Sequence, residues 1–150
     1  ASRYDSDMPS IDTVGFSDGE QFDLGDVSLC VLHTPGHTMD ACSFHIPEKG
    51  TIICGDLVPS AGHPSRADMP TGNLIEMKSS LERLLKLAPT LLVCGRGDAI
   101  SGLEACESVL NKHIESVDIR IECEGKLPTG WPKPANTCHW LTPEPEWAFD

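Results

Sequence analysis

Val27-Ser28-Leu29-Cys30-Val31-Leu32-His33-Thr34-Pro35-Gly36-His37-Thr38 runs from an apolar segment straight into a turn, and it sets the reading of the chain on either side. Val27–Leu32 is apolar at positions that alternate to both faces, the pattern of a buried strand. Pro35 and Gly36 close a tight turn, so His37 is presented from a loop instead of being packed within a strand. Upstream, Gln21–Leu24 reads as a short strand, Gly25-Asp26 as a hairpin signal, and residues 1–20, with Asp5, Asp7, Asp12 and Asp18, as a polar lead-in. Downstream, Ala41–Ile46 reads as a strand, Pro47-Glu48-Lys49-Gly50 as a turn, and Thr51–Cys54 as its antiparallel partner, ending in Gly55-Asp56.

Residues 57–72 carry Pro59, Gly62, Pro64, Pro70 and Gly72 and read as a long loop of the kind that carries function. Asn73 with Glu76 three residues on is a helix N-terminus. Leu74, Met77, Leu81, Leu84 and Leu85 keep helical spacing to Leu87, and Pro89 stops the run. Leu91–Cys94 is a short apolar strand ending in Gly95-Arg96-Gly97-Asp98. A second helix is expected from about Gly102 to Glu122, with Leu103, Cys106, Leu110, Ile114, Val117 and Ile121 on one face. The tail holds five of the 12 prolines and all 3 tryptophans (Trp131, Trp140, Trp147). The expected division is a domain over 1–125 and a proline- and tryptophan-rich arm over 126–150. The element order predicts a layered α/β protein with its polar residues gathered at strand ends.

With 150 residues and 39% hydrophobic content, the chain can bury a core, and it is not a disordered protein. The net charge of −12 and the absence of any basic run speak against nucleic acid and anionic membrane surfaces as partners. No apolar run reaches the roughly 18 residues of a membrane span. The chain opens Ala1-Ser2-Arg3-Tyr4, without Met or a signal pattern, and is expected to be processed or incomplete. Of the 7 cysteines, Cys30, Cys54 and Cys94 sit in apolar segments and read as core, and no Cys-x-x-Cys pair occurs. Reduced cysteines suggest a cytoplasmic protein.

Three strand ends then carry the chemistry. His37 is followed 19 residues later by Asp56, and a hairpin between them returns the carboxylate to the edge that holds the imidazole. Imidazole plus carboxylate suits a divalent, zinc-like or iron-like hydrolytic site. Thr34-Pro35-Gly36-His37-Thr38 followed by Gly55-Asp56 resembles the metallo-β-lactamase superfamily. So do Asp18-Gly19-Glu20 with Phe22, Leu24 and Gly25, the helical Ser80-Leu81-Glu82-Arg83-Leu84, and Gly95-Arg96-Gly97. The similar stretch runs from about Asp18 to Asp98. The resemblance implies an αββα sandwich with metal at the edge of the facing sheets, His37 as a metal ligand, and Asp56 as a bridging metal ligand with a catalytic part. It also implies zinc as cofactor and a small-molecule substrate, in which a metal-bound hydroxide attacks an ester, thioester, lactone or related bond.

Two departures shape the expectation. The family's His-x-His-x-Asp-His motif belongs upstream of Thr34–Thr38, and the first histidine here is His33. The chain thus reads as the C-terminal half of the sandwich, expected to be inactive alone and to self-associate or to pair with an N-terminal half. The last family ligand is normally a histidine between two glycines, and Arg96 stands there; a guanidinium has no lone pair for a metal. Arg96 is open to three readings: a charge replacing a second metal, a contact to an anionic substrate or to the Asp56 carboxylate, or a solvent-facing loop residue. Asp40 is a candidate acceptor for the second nitrogen of a ligating imidazole. His63 is a candidate third ligand; His33, His45, His113 and His139 read as non-ligands. Cys54 and Cys94 read as packing thiols, the tryptophans as a cover for an apolar flank. The rival from another class is a non-catalytic binding or scaffold descendant with no functional metal site.

Overall fold

The computed structural model describes residues 12–59, 65–67, 69 and 71–123. Its elements are β1 (Gln21–Asp23), β2 (Ser28–His33), β3 (Cys42–Ile46), a single 3-10 turn at Pro47–Lys49, β4 (Thr51–Gly55), α1 (Leu74–Lys86), β5 (Leu91–Cys94), β6 (Ile100–Ser101) and α2 (Leu103–Glu122). The six strands form one sheet in chain order. All neighbours are antiparallel except β4 and β5, which run parallel, joined through α1. The expected hairpin forms with Phe44 opposite Ile53 and Ile46 opposite Thr51. β6 is an addition to the sequence reading: two residues are too few to show alternation. The expectations placed on His63, His139, Trp131, Trp140, Trp147 and the 125/126 division lie outside the described residues.

Register explains the direction of the site. β2, β4 and β5 all point the same way, because two antiparallel steps separate β2 from β4 and β5 is parallel to β4. Their C-terminal ends therefore share one sheet edge, and the segments beginning at Thr34, Asp56 and Gly95 emerge side by side.

Both helices pack on one sheet face. Leu32, Ile52, Cys54 and Leu92 form a single core with Leu74, Met77, Leu81 and Leu84 of α1 and Cys106, Leu110 and Val117 of α2. α1 starts as expected: the Asn73 side chain accepts from the backbone N–H groups of Ile75 and Glu76. α2 differs in its buried stripe, which is Cys106, Leu110, His113, Val117 and Arg120, while Leu103 is exposed. The spacing is helical, but two positions are polar and were passed over by hydropathy. β2 departs from the fully buried expectation as well: Val31 and Leu32 are buried, whereas Ser28–Cys30 are half-buried beside the short, exposed β1.

The opposite sheet face carries Phe22, Leu29, Val31, Phe44, Ile46, Ile53, Leu91 and Val93, by the alternation of each strand. Phe16 meets Phe44 edge-on at 6.1 Å. No described helix lies on this face, so the described residues supply one sheet layer and one helix layer of the expected four. No described helix is long and apolar enough to cross a membrane.

Candidate metal centre

The loop carrying His37 is built onto α1. The Thr34 N–H donates to the Ala41 carbonyl and closes the turn, and the Gly36 carbonyl accepts from the Asn73 N–H at the start of α1. The Ser80 hydroxyl donates to the Pro35 carbonyl at 2.7 Å. Gly36 has φ of +135°, and a Cβ there would stand 2.3 Å from the Met77 Cα, so only glycine permits this docking. Thr34 and Ser43, both fully buried, share a hydrogen bond of 2.9 Å beneath the loop. At the loop's rear, the Arg83 guanidinium grips Asp18 with two nitrogens at 2.8 and 3.2 Å and also donates to the His33 carbonyl. The His33 imidazole donates to the Met39 carbonyl, a structural role.

His37 Nδ1 lies 2.7 Å from the Arg66 carbonyl. A carbonyl only accepts, so Nδ1 carries the hydrogen, and in the neutral ring Nε2 keeps its lone pair. That nitrogen faces Asp56, with Oδ2 at 3.8 Å. The acceptor role expected of Asp40 is thus filled by the Arg66 carbonyl. Asp40 engages the Thr38 hydroxyl and its own backbone N–H, which hold its carboxyl below the usual range.

Asp56 follows a bulge. The β4–β5 register shifts between Ile53 and Gly55, so Gly55 instead of Cys54 sits opposite Cys94. The Gly95 N–H donates to the Gly55 carbonyl at 2.8 Å. A Cβ on Gly95 would come within 2.7 Å of Asp56 Oδ1 and 2.8 Å of the Gly55 carbonyl carbon, so a glycine here lets the two strand ends close. Arg96, next along, then reaches Asp56 with two hydrogen bonds: Nε to Oδ1 at 3.2 Å and a terminal nitrogen to Oδ2 at 3.1 Å. Of the readings open for Arg96, the contact to the Asp56 carboxylate is present, on a side chain that is also largely solvent-facing. The guanidinium is 73% exposed and the carboxylate 34%. The pair is solvent-screened, and its worth lies in orientation more than in stability.

The neighbouring thiols are core. Burial pushes the Cys54 thiol far up and raises Cys94 and Cys106 as well, so none offers a ready thiolate.

His37 and Asp56 fit two positions around a divalent ion. Two ligand atoms each about 2.1 Å from zinc lie about 3.4 Å apart at the tetrahedral angle, near the observed 3.8 Å. A closed or catalytic site needs more: among the described residues no cluster of three metal-ligating side chains exists. Arg96 adds positive charge directly beside the Asp56 carboxylate. The arrangement fits an ion in part, and its completion requires a donor from outside the described residues.

The family model for the metallo-beta-lactamase superfamily matches residues 6–96. A hydroxyacylglutathione hydrolase from Hahella chejuensis is 34% identical over 128 residues, covering 80% of this chain and 47% of that protein. A solved metallo-beta-lactamase family protein from Thermus thermophilus aligns with TM-score 0.57 at 22% identity, over 84% of this chain and 42% of that one. A protein solved in a di-iron-bound form aligns at 28% identity and TM-score 0.55, over 65% of this chain and 46% of that one. The chain therefore spans about half the length of these relatives.

Proposed function

Since the chain belongs to the metallo-beta-lactamase superfamily, we propose that it serves a metal-dependent hydrolase that cleaves an ester, thioester, lactone or related bond in a small-molecule substrate, with zinc as the ion. The observation that supports this most directly is the His37–Asp56 pair, with imidazole Nε2 and a carboxylate oxygen 3.8 Å apart. When bound, the ion supplies Lewis acidity and a nucleophile at neutral pH. This chain's own residues hold and orient. His37 would hold the ion through Nε2, with its tautomer set from behind by the Arg66 carbonyl. Asp56 would hold it through its carboxylate, kept in line by Arg96. Arg96, mostly exposed at the rim, offers its charge to an anionic substrate group. Among the bonds named, a glutathione thioester is favoured by the relatives named hydroxyacylglutathione hydrolase.

The second reading is a binding or scaffold protein without a functional metal site, and the two-pronged Arg96–Asp56 contact favours it. One experiment separates the two: zinc content and hydrolysis of a hydroxyacylglutathione thioester, compared between the chain and His37→Ala. The hydrolase reading expects zinc uptake by the chain that His37→Ala removes, and turnover, likewise lost in His37→Ala, once an N-terminal half carrying the remaining ligands is supplied. A chain that takes up no zinc and, with that half supplied, cleaves no more thioester than His37→Ala supports the scaffold.

A further inference from the structure

We propose that His113, on α2, is a positioning residue for the His37 imidazole, acting through the peptide Ser65-Arg66-Ala67. The proposal rests on the reading of His37 as a metal ligand. His113 lies beyond the residues the family model matches and, at 6% exposure, is buried in the helix stripe.

Its ring engages two residues. Nδ1 lies 3.3 Å from the Ser65 backbone nitrogen and 3.1 Å from the Ser65 hydroxyl oxygen. That hydroxyl donates its hydrogen to the Leu57 carbonyl at 2.6 Å, so Nδ1 is left to accept from the Ser65 N–H. The ring also has a hydrogen-bond contact with the Pro59 backbone, which has only a carbonyl to offer. One imidazole thereby engages both Pro59 and Ser65. Burial disfavours the protonated ring; the Pro59 contact opposes it in part, and the nearby Arg120 charge adds a smaller push in the direction of burial, so the net direction keeps the acceptor at Nδ1.

The next carbonyl along, that of Arg66, is the one that accepts from His37 Nδ1. The far side of the peptide is pinned as well. Ala67 is fully buried in the core, and the bare Cα of Gly72 lies against its carbonyl, where a Cβ would approach to 2.1 Å. With Ser65 held from α2 and Ala67 from the core, the Arg66 carbonyl has a fixed direction, and that direction selects which His37 nitrogen keeps its lone pair. The route from His113 to His37 thus consists of two hydrogen bonds and the backbone of two residues, Ser65 and Arg66.

The test compares two replacements. His113→Asn retains an acceptor where Nδ1 stands; His113→Leu keeps the bulk and removes it. The first readout is the nitrogen NMR pattern of the His37 ring in the metal-free chain, which reports the tautomer without any ion. The second is zinc affinity by calorimetry. The wild-type chain and His113→Asn are expected to hold the hydrogen on His37 Nδ1, whereas His113→Leu gives a tautomer mixture and about tenfold weaker zinc binding. Unchanged His37 signals in His113→Leu, even with a lowered melting temperature, would mean that His113 only staples α2 to the loop, and the proposal is overturned. If His113→Leu does not fold, His113→Gln, polar but without an acceptor at the Nδ1 position, takes its place with the same expectations. Zinc binding by no variant, wild type included, overturns the metal reading instead, and the ring-nitrogen pattern still decides for or against His113.

Discussion

At the scale of single residues, Arg96 decides what kind of site this edge can form. Its guanidinium cannot ligate, and it occupies both oxygens of Asp56, so any ion at His37 shares its carboxylate with a fixed positive charge. Arg96→His replaces that charge with a third donor beside His37 and Asp56. Calorimetric titration is expected to show zinc affinity at least tenfold higher in Arg96→His than in the parent chain, with the gain lost in the double variant that adds His37→Ala. An affinity unchanged by Arg96→His would mean that position 96 does not face the ion. His37, Asp56 and Arg96 were legible in the sequence because each follows an apolar strand and is framed by glycine, and because the motif order is distinctive. The Arg66 carbonyl was not legible. A backbone acceptor has no residue-type signature, and Asp40, three residues from His37, was the nearest side chain able to fill the role.

At the scale of elements, the site is only as firm as the docking of the 34–38 loop on α1 and of Pro59 and Ser65 on α2. Gly36→Ala meets the Met77 backbone in addition to taking a φ of +135°, whereas Gly25→Ala, with φ of +92°, meets nothing within 4 Å. Urea unfolding should therefore give a loss of about 3 kcal/mol or more for Gly36→Ala, against about 1 kcal/mol for Gly25→Ala. Equal losses would remove the close approach as the cause. The buried His113 makes a second claim at this scale. Its folded pKa lies below the ordinary histidine value because burial disfavours the charged ring, with Arg120 acting in the same direction and the Pro59 carbonyl against it. Its contribution is complete above the unfolded value of about 6.5 and is lost as pH falls below that value, because the unfolded chain then binds the proton more readily. His45, lowered by burial on β3 with Glu48 opposing, adds a slope of the same sign. Chemical unfolding between pH 7.5 and 5 should show stability falling with pH, and His113→Asn should reduce the slope without abolishing it. The helix itself was visible from spacing, and so was most of its face, Leu103 excepted. Cys106, Leu110 and Val117 repeat correctly, while His113 and Arg120 complete the stripe with polar heads that a hydropathy pattern assigns to solvent.

At the scale of the whole molecule, the described residues cover one face of the sheet with helices and leave the other partly exposed. The helices cover Leu32, Ile52 and Leu92, but the reverse side exposes Phe22 at 40%, Ile53 at 37% and Phe16 at 48% among the described residues. The sequence foreshadowed this: Leu29–Leu32 and Leu91–Cys94 are apolar at consecutive positions, which a sheet covered on one side does not require. A few hundred square ångströms of apolar surface on each of two copies, at roughly 25 cal/mol per Å², is comparable to the roughly 4–15 kcal/mol that association costs in lost freedom. The net charge of −12 opposes the encounter. Self-association of the 150-residue chain through this face should therefore be weak at low ionic strength and stronger as salt screens the repulsion, the reverse of an ion-pair interface. Light scattering over a salt series is expected to show a mass rising from one copy toward two. Ile53→Lys, which places a charge at the centre of the face on β4, should hold the chain at one copy throughout, with its thermal unfolding still cooperative. A parent chain that stays at one copy in high salt and binds no apolar dye has that face already covered, and the expectation fails. A mass that rises equally in Ile53→Lys locates the contact elsewhere, because an ammonium group buried in an apolar sheet interface without a partner cannot be accommodated at so small a gain.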